Sequence, residues 1–427
     1  MLSEATHLGR QETLRFAQGD KGGRPFVALA ATQEEDRAQR RTHIPMTPRE
    51  RFLATARFEP VDRTFLLQPW LWQQTHARWQ QEGLPPGADL VGRFATDAEH
   101  GVPLAMQGRY GPHLHPPLPR EVLSETDEYT VVRDEEGNVV KLLRDDPMAS
   151  MPEWIEYPMK SREDWEQIIK PRLDPAIPGR RPEGEDWTRY VESVRERDFP
   201  LGVWCGSLYG WPRSFLGVEG VSYLVFDDPG LLHEMCEHIA DFAIGVLTPI
   251  LQDIHLDYAF IWEDMAGKSG PLCSPATYRE FMLPPLKRIT ETLRQHGVDI
   301  IIVDSDGNND VLIPLWLEAG VNGLRPFEVA AGCDAVAIRR QYGQDLIIQG
   351  AVDKRPLAAG PEAIESEVLS KIPWLCLQGG FFPQVDHLVP PDVSLANYEH
   401  YSRLLRAVAE DPERWLHEAV RRGLWEA

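Results

Sequence analysis

Short apolar runs recur along this chain, each followed by polar or glycine-rich residues and then by a helical pattern. The runs are 64–68, 200–205, 258–262, 299–303, 323–326, 345–349 and 375–378. Their middles are rich in Val, Ile, Leu and Phe, as in strands covered on both faces. Between them lie amphipathic helical stretches at 275–297, 309–319 and 333–342, ended by Gly297, Gly320 and Gly343. A glycine just past the last turn supplies the left-handed residue that closes a helix. Strand–helix alternation predicts an α/β fold with a parallel sheet. The helix after Val303 spans barely three turns before the next strand. Such dense spacing favours a single closed (β/α)8 TIM barrel over a doubly wound sheet. Seven strands are countable, and the eighth is placed within 90–160.

Three segments interrupt the repeat. Val-rich flanks around Asp134-Glu-Glu-Gly137-Asn, within 129–143, predict a β-hairpin inserted into the barrel. Residues 171–190 are Pro-rich and read as a surface loop. Residues 1–45 are polar, rich in Arg, Gln and Gly, and lack periodicity. They are expected to be a disordered tail or a non-native extension, leaving a barrel domain over 46–427. At its start Thr47 can cap a helix, with Pro48 in the first position and Glu50 three residues on.

Composition narrows the function classes. The formal charge of −22 argues against nucleic acid, which needs clustered Lys and Arg, and against anionic membranes. The five cysteines (205, 236, 273, 333, 376) show no CxxC spacing, which fits a reducing, cytoplasmic location. No run of about 18 apolar residues exists, and the N-terminus lacks an apolar signal core.

In such barrels chemistry sits where the strands end. Gln68, Trp70 and Trp72 follow the first run, and Tyr209 and Arg213 the second. Glu263 and Asp264 follow the third, Asp304 and Asp306 the fourth, and Arg325 and Glu328 the fifth. Gln349, Asp353 and Lys354 follow the sixth, and Asp386-His387 the last. Asp304 and Asp306 stand out, because residues i and i+2 on a strand face the same way. Two such carboxylates could hold a divalent cation with an imidazole, His387 being the candidate, or share protons. A structural use is the lesser reading: one Asp caps the next helix and the other pairs with Arg325. Arg213 and Arg325 could clamp a carboxylate or phosphate, or form internal ion pairs. The Trp70, Trp72 and Trp79 group reads as packing or as a wall for a flat ligand. Cys333 and Cys376 have no partner at ligand spacing and read as structural.

These residues carry a resemblance. Met46-Thr-Pro-Arg-Glu-Arg-Phe, Glu59-Pro-Val-Asp-Arg63, Asp304-Ser-Asp-Gly-Asn308 and 320–328 resemble segments of the uroporphyrinogen decarboxylase superfamily. So do Tyr342-Gly, Gly350-Ala-Val-Asp-Lys354, Gly379-Gly, Asp386-His387 and Pro391-Asp-Val-Ser, in the same order across roughly 46–410. The resemblance implies a (β/α)8 barrel. It implies either a cofactor-independent decarboxylase or a zinc-using methyltransferase that moves methyl groups between corrinoids and thiols. The sequence departs from both patterns. The decarboxylases' Arg-Gln-Ala-Gly-Arg clamp is replaced by Gln68-Pro-Trp-Leu-Trp72. The methyltransferases' His-x-Cys zinc pair is replaced by Asp304-x-Asp306, with Asp386-His387 near the late Cys position.

The expected function is therefore a methyltransferase-type enzyme acting on a small methylated compound, with a corrinoid protein or folate-type carrier. Asp304, Asp306 and His387 would bind zinc or another divalent metal, or act as acid–base groups. Glu263 and Asp264 would orient substrate, and Gln68, Trp70, Trp72, Tyr209, Arg213, Arg325, Glu328, Gln349 and Asp353 would bind it. One alternative is a true uroporphyrinogen decarboxylase without cofactor, with Arg78, Arg213 or Arg325 replacing the clamp. Another is a non-catalytic corrinoid-binding or sensor protein whose acids are all engaged in ion pairs. A homodimer is compatible with the chain.

Overall fold

The apolar runs pair as a parallel sheet. In the computed structural model, which describes residues 45–108, 111–144, 152–181 and 183–425, the sheet has seven strands. Their order is His100–Gly101, Leu201–Trp204, Tyr258–Trp262, Ile301–Asp304, Gly323–Phe327, Ile347–Val352 and Phe381–Val385. Every neighbouring pair is parallel and consecutive in this sequence of strands. Alternation explains why the runs read as continuous. Tyr258, Phe260, Ile302, Ile347 and Phe382 gather on one face with Phe52 and Phe65. Ala259, Ile261, Ile301, Val303 and Ile348 face the helices on the other. Both faces are dry, as parallel sheets require.

The inner face is plugged by aromatics near the strand starts. Phe52 lies 5.3 Å from Phe65, 4.9 Å from Tyr258 and 5.1 Å from Phe382, ring centre to ring centre. Tyr258 fits because Gly202 stands beside it: a Cβ there would fall 2.1 Å from the Tyr258 ring. The Tyr258 hydroxyl donates to the His100 carbonyl at 3.0 Å. Around the same end, Asp97 is saturated. It accepts from Arg51 Nη1 (2.9 Å), from Arg63 Nη1 and Nη2 (2.6 and 2.7 Å) and from Leu66 N (3.0 Å).

Residues 64–72 bridge both sides. Leu67 bridges Asp97 and Leu71 bridges Val389, both in parallel sense. Gln384 Nε2 donates to the Gln68 carbonyl at 2.7 Å, and Val389 N to the Trp70 carbonyl at 2.7 Å. The expected first strand is thus present only as isolated bridges. Pro69 interrupts any ladder, having no N–H to give. In place of a regular eighth strand, 90–160 supplies the two-residue His100–Gly101.

Other expectations shift. The run 375–378 is helical, within Ile372–Gln378, and the strand follows at Phe381–Val385. Pro373 starts that helix, Ile372 and Leu375 bury one face of it, and Gly379 (φ 75°) ends it. Residues 343–345 form a 3-10 turn before the strand at Ile347. The Pro-rich loop stops at Glu183. Gly184–Val194 is a helix whose Trp187, Tyr190, Val191 and Val194 share a face that the Pro-rich approach obscures.

The hairpin forms as Tyr129–Arg133 against Val139–Leu143. It sits in a four-stranded antiparallel sheet with Glu121–Glu125 and Glu153–Glu156 at the edges. Thr47 and Glu50 make the anticipated capping box. The tail expected over 1–45 lies, except for Pro45, outside the described residues. Among the described residues no helix is long and apolar enough to cross a membrane. The five cysteines are free.

Candidate functional site

Where the strands end, the inner face turns polar. Asp304 is the last residue of its strand. Its Oδ2 accepts two hydrogen bonds from Arg325, from Nε at 3.0 Å and Nη2 at 2.8 Å. Arg325 is 3% exposed, and its guanidinium lies 3.8 Å from the Phe260 ring centre and 4.2 Å from that of Trp70. Aromatic faces partly replace the water this cation has lost. Burial raises the Asp304 carboxyl, with Arg325 opposing and the Asp306 charge adding.

Asp306 points to a different partner. Its Oδ2 meets His387 Nε2 at 3.2 Å. Burial alone would raise Asp306, but the hydrogen bond and charge of His387 win and hold it below its ordinary value. Burial would lower His387, but the same partner raises it instead. The loop between is fixed. Asn309 Nδ2 donates to the carbonyls of Ser305 (2.9 Å) and Asp306 (3.0 Å), and Ser305 Oγ receives Met265 N at 3.1 Å. Gly307 (φ 78°) is obligatory here, since a Cβ would fall 2.6 Å from the Ala266 backbone.

Glu263 is fully buried and works as a tether. It accepts from Tyr209 N (2.8 Å) and Ser207 Oγ (3.0 Å), holding the turn after the Leu201–Trp204 strand. Burial raises its carboxyl against those donors. Asp264 (φ 41°) turns to Arg213, which it meets at 2.6 Å. Glu328 accepts from Gly307 N at 3.1 Å and Lys354 Nζ at 3.2 Å. Lys354 also faces Asp386 at 3.8 Å. Asp386 in turn accepts from Val329 N at 2.8 Å, and burial raises its carboxyl.

A cleft of about 510 Å³ opens onto Glu328, Lys354 and His387, and is lined also by Trp72, Gln74 and Pro390-Pro391. A smaller hollow of about 280 Å³, lined by Arg57, Asp299 and Asn322 among others, lies at the opposite ends of the strands. None of the strand-end acids reaches it.

The structure thus gathers Asp304, Asp306, His387, Glu328, Arg325, Trp70 and Trp72 at one end, with Glu263, Asp264, Tyr209 and Arg213 beside them. Gln68 takes part through its carbonyl. Asp353 does not join. Its carboxylate caps the Lys354–Ala359 helix and pairs with Arg355 at 2.6 Å, so its neighbour Lys354 is the residue that reaches the cleft. Trp79 is core packing and donates to the Val393 carbonyl at 2.9 Å. Burial pushes the Cys333 and Cys376 thiols up to about 12, in keeping with a structural role.

The residues present do not fit the expected metal triad. Among the described residues no three His, Cys, Asp or Glu side chains converge in a way that could hold a metal ion. Asp304 is turned inward to Arg325 while Asp306 is turned to His387, so the i, i+2 pair diverges.

Sequence reasoning missed Glu99. It stands in 96–101, between the Leu90–Phe94 helix and a two-residue strand, where no periodicity is long enough to register. Its Oε1 is buried with no hydrogen-bond partner among the described residues. Burial pushes its carboxyl up to about 7, with Arg325 opposing and Asp304 adding.

A curled parallel sheet with helices outside it and a charged, aromatic-walled strand-end face defines an α/β protein with its site at the strand ends. A family model for Uroporphyrinogen decarboxylase (URO-D) matches residues 146–408, and the chain belongs to that family. The uroporphyrinogen decarboxylase of Magnetococcus marinus is 26% identical over 294 residues, 66% of this chain and 70% of that protein. That of Ruthia magnifica is 24% identical over 218 residues, 48% of this chain and 56% of that protein. The match to the Pseudomonas fluorescens protein likewise spans 56% of its length, at 28% identity, so the chain covers little more than half of these last two relatives. A methyltransferase from Methanosarcina mazei superposes with a TM-score of 0.52 over 85% of this chain and 99% of that one, at 14% identity. That likeness shows a shared fold.

Proposed function

We propose that the chain is a methyltransferase-type member of its family, acting on a small methylated compound with a corrinoid or folate-type carrier. One observation carries this reading. The arginines that could replace the clamp are already engaged: Arg213 by Asp264, Arg325 by Asp304, and the partly exposed helical Arg78 by Glu82. A substrate with many carboxylates needs several converging, unmatched cations, and the segment that would supply them reads Gln68-Pro-Trp-Leu-Trp72. Aromatic walls and a protonatable His387–Asp306 couple suit a compact, weakly charged substrate instead.

In this reading the carrier, when bound, supplies the methyl-accepting centre. The chain's residues position and protonate. Trp70 and Trp72 wall the substrate. As the bond between methyl and its heteroatom breaks, the electron pair stays on the heteroatom, and His387 gives it a proton. Asp306 keeps His387 charged beforehand and oriented. We also propose that residues 64–72 close the sheet into a full barrel, and that the protein works in a reducing cytoplasm. A homodimer and a corrinoid protein partner belong to the same proposal.

A second reading has an observation of its own. Asp264, Asp304, Asp306, Glu328 and Asp386 all face a basic partner, as a non-catalytic corrinoid-binding or sensor protein would require. One experiment separates the readings. Purified protein is given methylated donors with a free corrinoid, and methyl transfer is followed by the corrinoid's absorbance. Transfer that falls at least tenfold in His387→Gln supports the enzyme. Corrinoid binding without transfer to any donor favours the sensor, and robust turnover of uroporphyrinogen would overturn both.

A further inference from the structure

One interior position is polar without any visible reason. Gln349 lies in the strand Ile347–Val352, two residues after Ile347. Ile347 faces the aromatic plug, so Gln349 faces the same interior one level nearer the strand ends. It is 1% exposed, yet neither Oε1 nor Nε2 has a hydrogen-bond partner among the described residues. The strand register places it against Arg325. Leu324 pairs with Ile348 and Phe327 with Gly350, so the irregular pair Arg325-Pro326 flanks Gln349. Arg325 in turn pairs with Asp304. Glu99, with its own unpartnered Oε1, lies within electrostatic reach of both.

Burying an amide with both ends unmatched is destabilising for each unpaired group. A leucine of similar volume would avoid that cost in an interior already lined with Phe, Ile and Trp. The charges there cancel, because Asp304 and Arg325 are committed to each other. What the level lacks is a partner that both donates and accepts while carrying no charge.

We propose that Gln349 and Glu99 form an inner subsite, below the strand-end cleft, for an uncharged planar group of the amide class, such as a carboxamide or lactam. The amide of Gln349 pairs with such a group in both directions, its N–H donating and its carbonyl accepting. Glu99 takes the remaining edge. The subsite rests on the strand-end face being the ligand site, and it names the chemical class that the proposed substrate or carrier presents there.

The test is isothermal titration of the full chain with three isosteres: benzamide, the anion benzoate and the cation benzamidinium. Benzamide is expected to bind, with both charged isosteres at least tenfold weaker. In Gln349→Leu benzamide affinity is expected to fall at least tenfold while Tm stays level or rises. Glu99→Leu is expected to weaken benzamide without restoring benzoate. Equal or tighter binding of a charged isostere overturns the subsite. So does unchanged benzamide affinity in Gln349→Leu, or a fall in its Tm, which would mean internal water already satisfies the amide. The methyl-transfer assay is run in parallel. Selective benzamide binding without transfer removes the reaction and leaves the subsite, and transfer without selectivity removes the subsite alone.

Discussion

Two buried aspartate–arginine sites stand at opposite ends of the same strands. At the starts, Asp97 is 4% exposed and accepts four hydrogen bonds from Arg51, Arg63 and Leu66 N. At the ends, Asp304 meets Arg325 through one oxygen, beside Glu99 Oε1 and the Gln349 amide, which lack hydrogen-bond partners among the described residues. The first arrangement is complete in the folded chain alone. The second is complete only with something added. Barrel-type folds commonly divide in this way, stability at one end and chemistry at the other.

The comparison is tested most severely at Asp97. Asp97→Ala leaves the buried Arg63 guanidinium without its carboxylate and takes one of two acids from Arg51, which keeps Asp62, and a loss of about 3–5 kcal/mol in urea unfolding is expected. If the two ends are alike, Asp304→Ala will cost the same. We expect about 1–3 kcal/mol there, because the aromatic rings around Arg325 still hold the cation, together with loss of methyl transfer. A smaller effect concerns His387 and Asp306. His387 is raised and Asp306 lowered by their contact. The His387 contribution is therefore full below the ordinary histidine value of about 6.5 and lost as pH rises through the raised value. The Asp306 contribution is present above the ordinary aspartate value of about 3.9 and lost as pH falls through the lowered one. Wild type minus His387→Gln, measured by urea unfolding across pH, should give at most about 1 kcal/mol within that window, since both side chains are partly exposed. Smallest is Arg57→Ala at the outer rim of the stable end. Its pair with Asp299 is 40% and 49% exposed, and a change within about 0.5 kcal/mol is expected.

The sheet was legible in the sequence wherever both faces of a strand are covered. At 258–262 and 300–303 every residue is apolar and an acid follows directly, so the pattern survives without any partner in view. It failed at 375–378, where a helix beginning at Ile372 buries apolar residues three apart over too short a stretch for its period to show. It failed also at 64–68, whose pairing depends on segments far along the chain. Site residues at strand ends were legible because the fold brings strand ends together. The pairing of one Asp with Arg325 was readable as a structural alternative and is seen at Asp304, but the divergence of Asp306 was not: the two share a side in a flat strand, yet the strand stops at Asp304 and Gly307 turns the chain. Asp353 misled because a residue after a strand is equally often the cap of the next helix. Glu99 left no local signal, since what marks it is burial among distant groups.

The contact between Gly202 and Tyr258 has a historical side. With Tyr258 in place, position 202 has no room for even a methyl group. Position 258 carries no such restriction, because a smaller residue there only leaves a void. The two sites can therefore change in one order alone, 258 before 202. Lineages that keep the tyrosine are held to glycine opposite it, and those that lose it become free to rebuild the floor beneath the site.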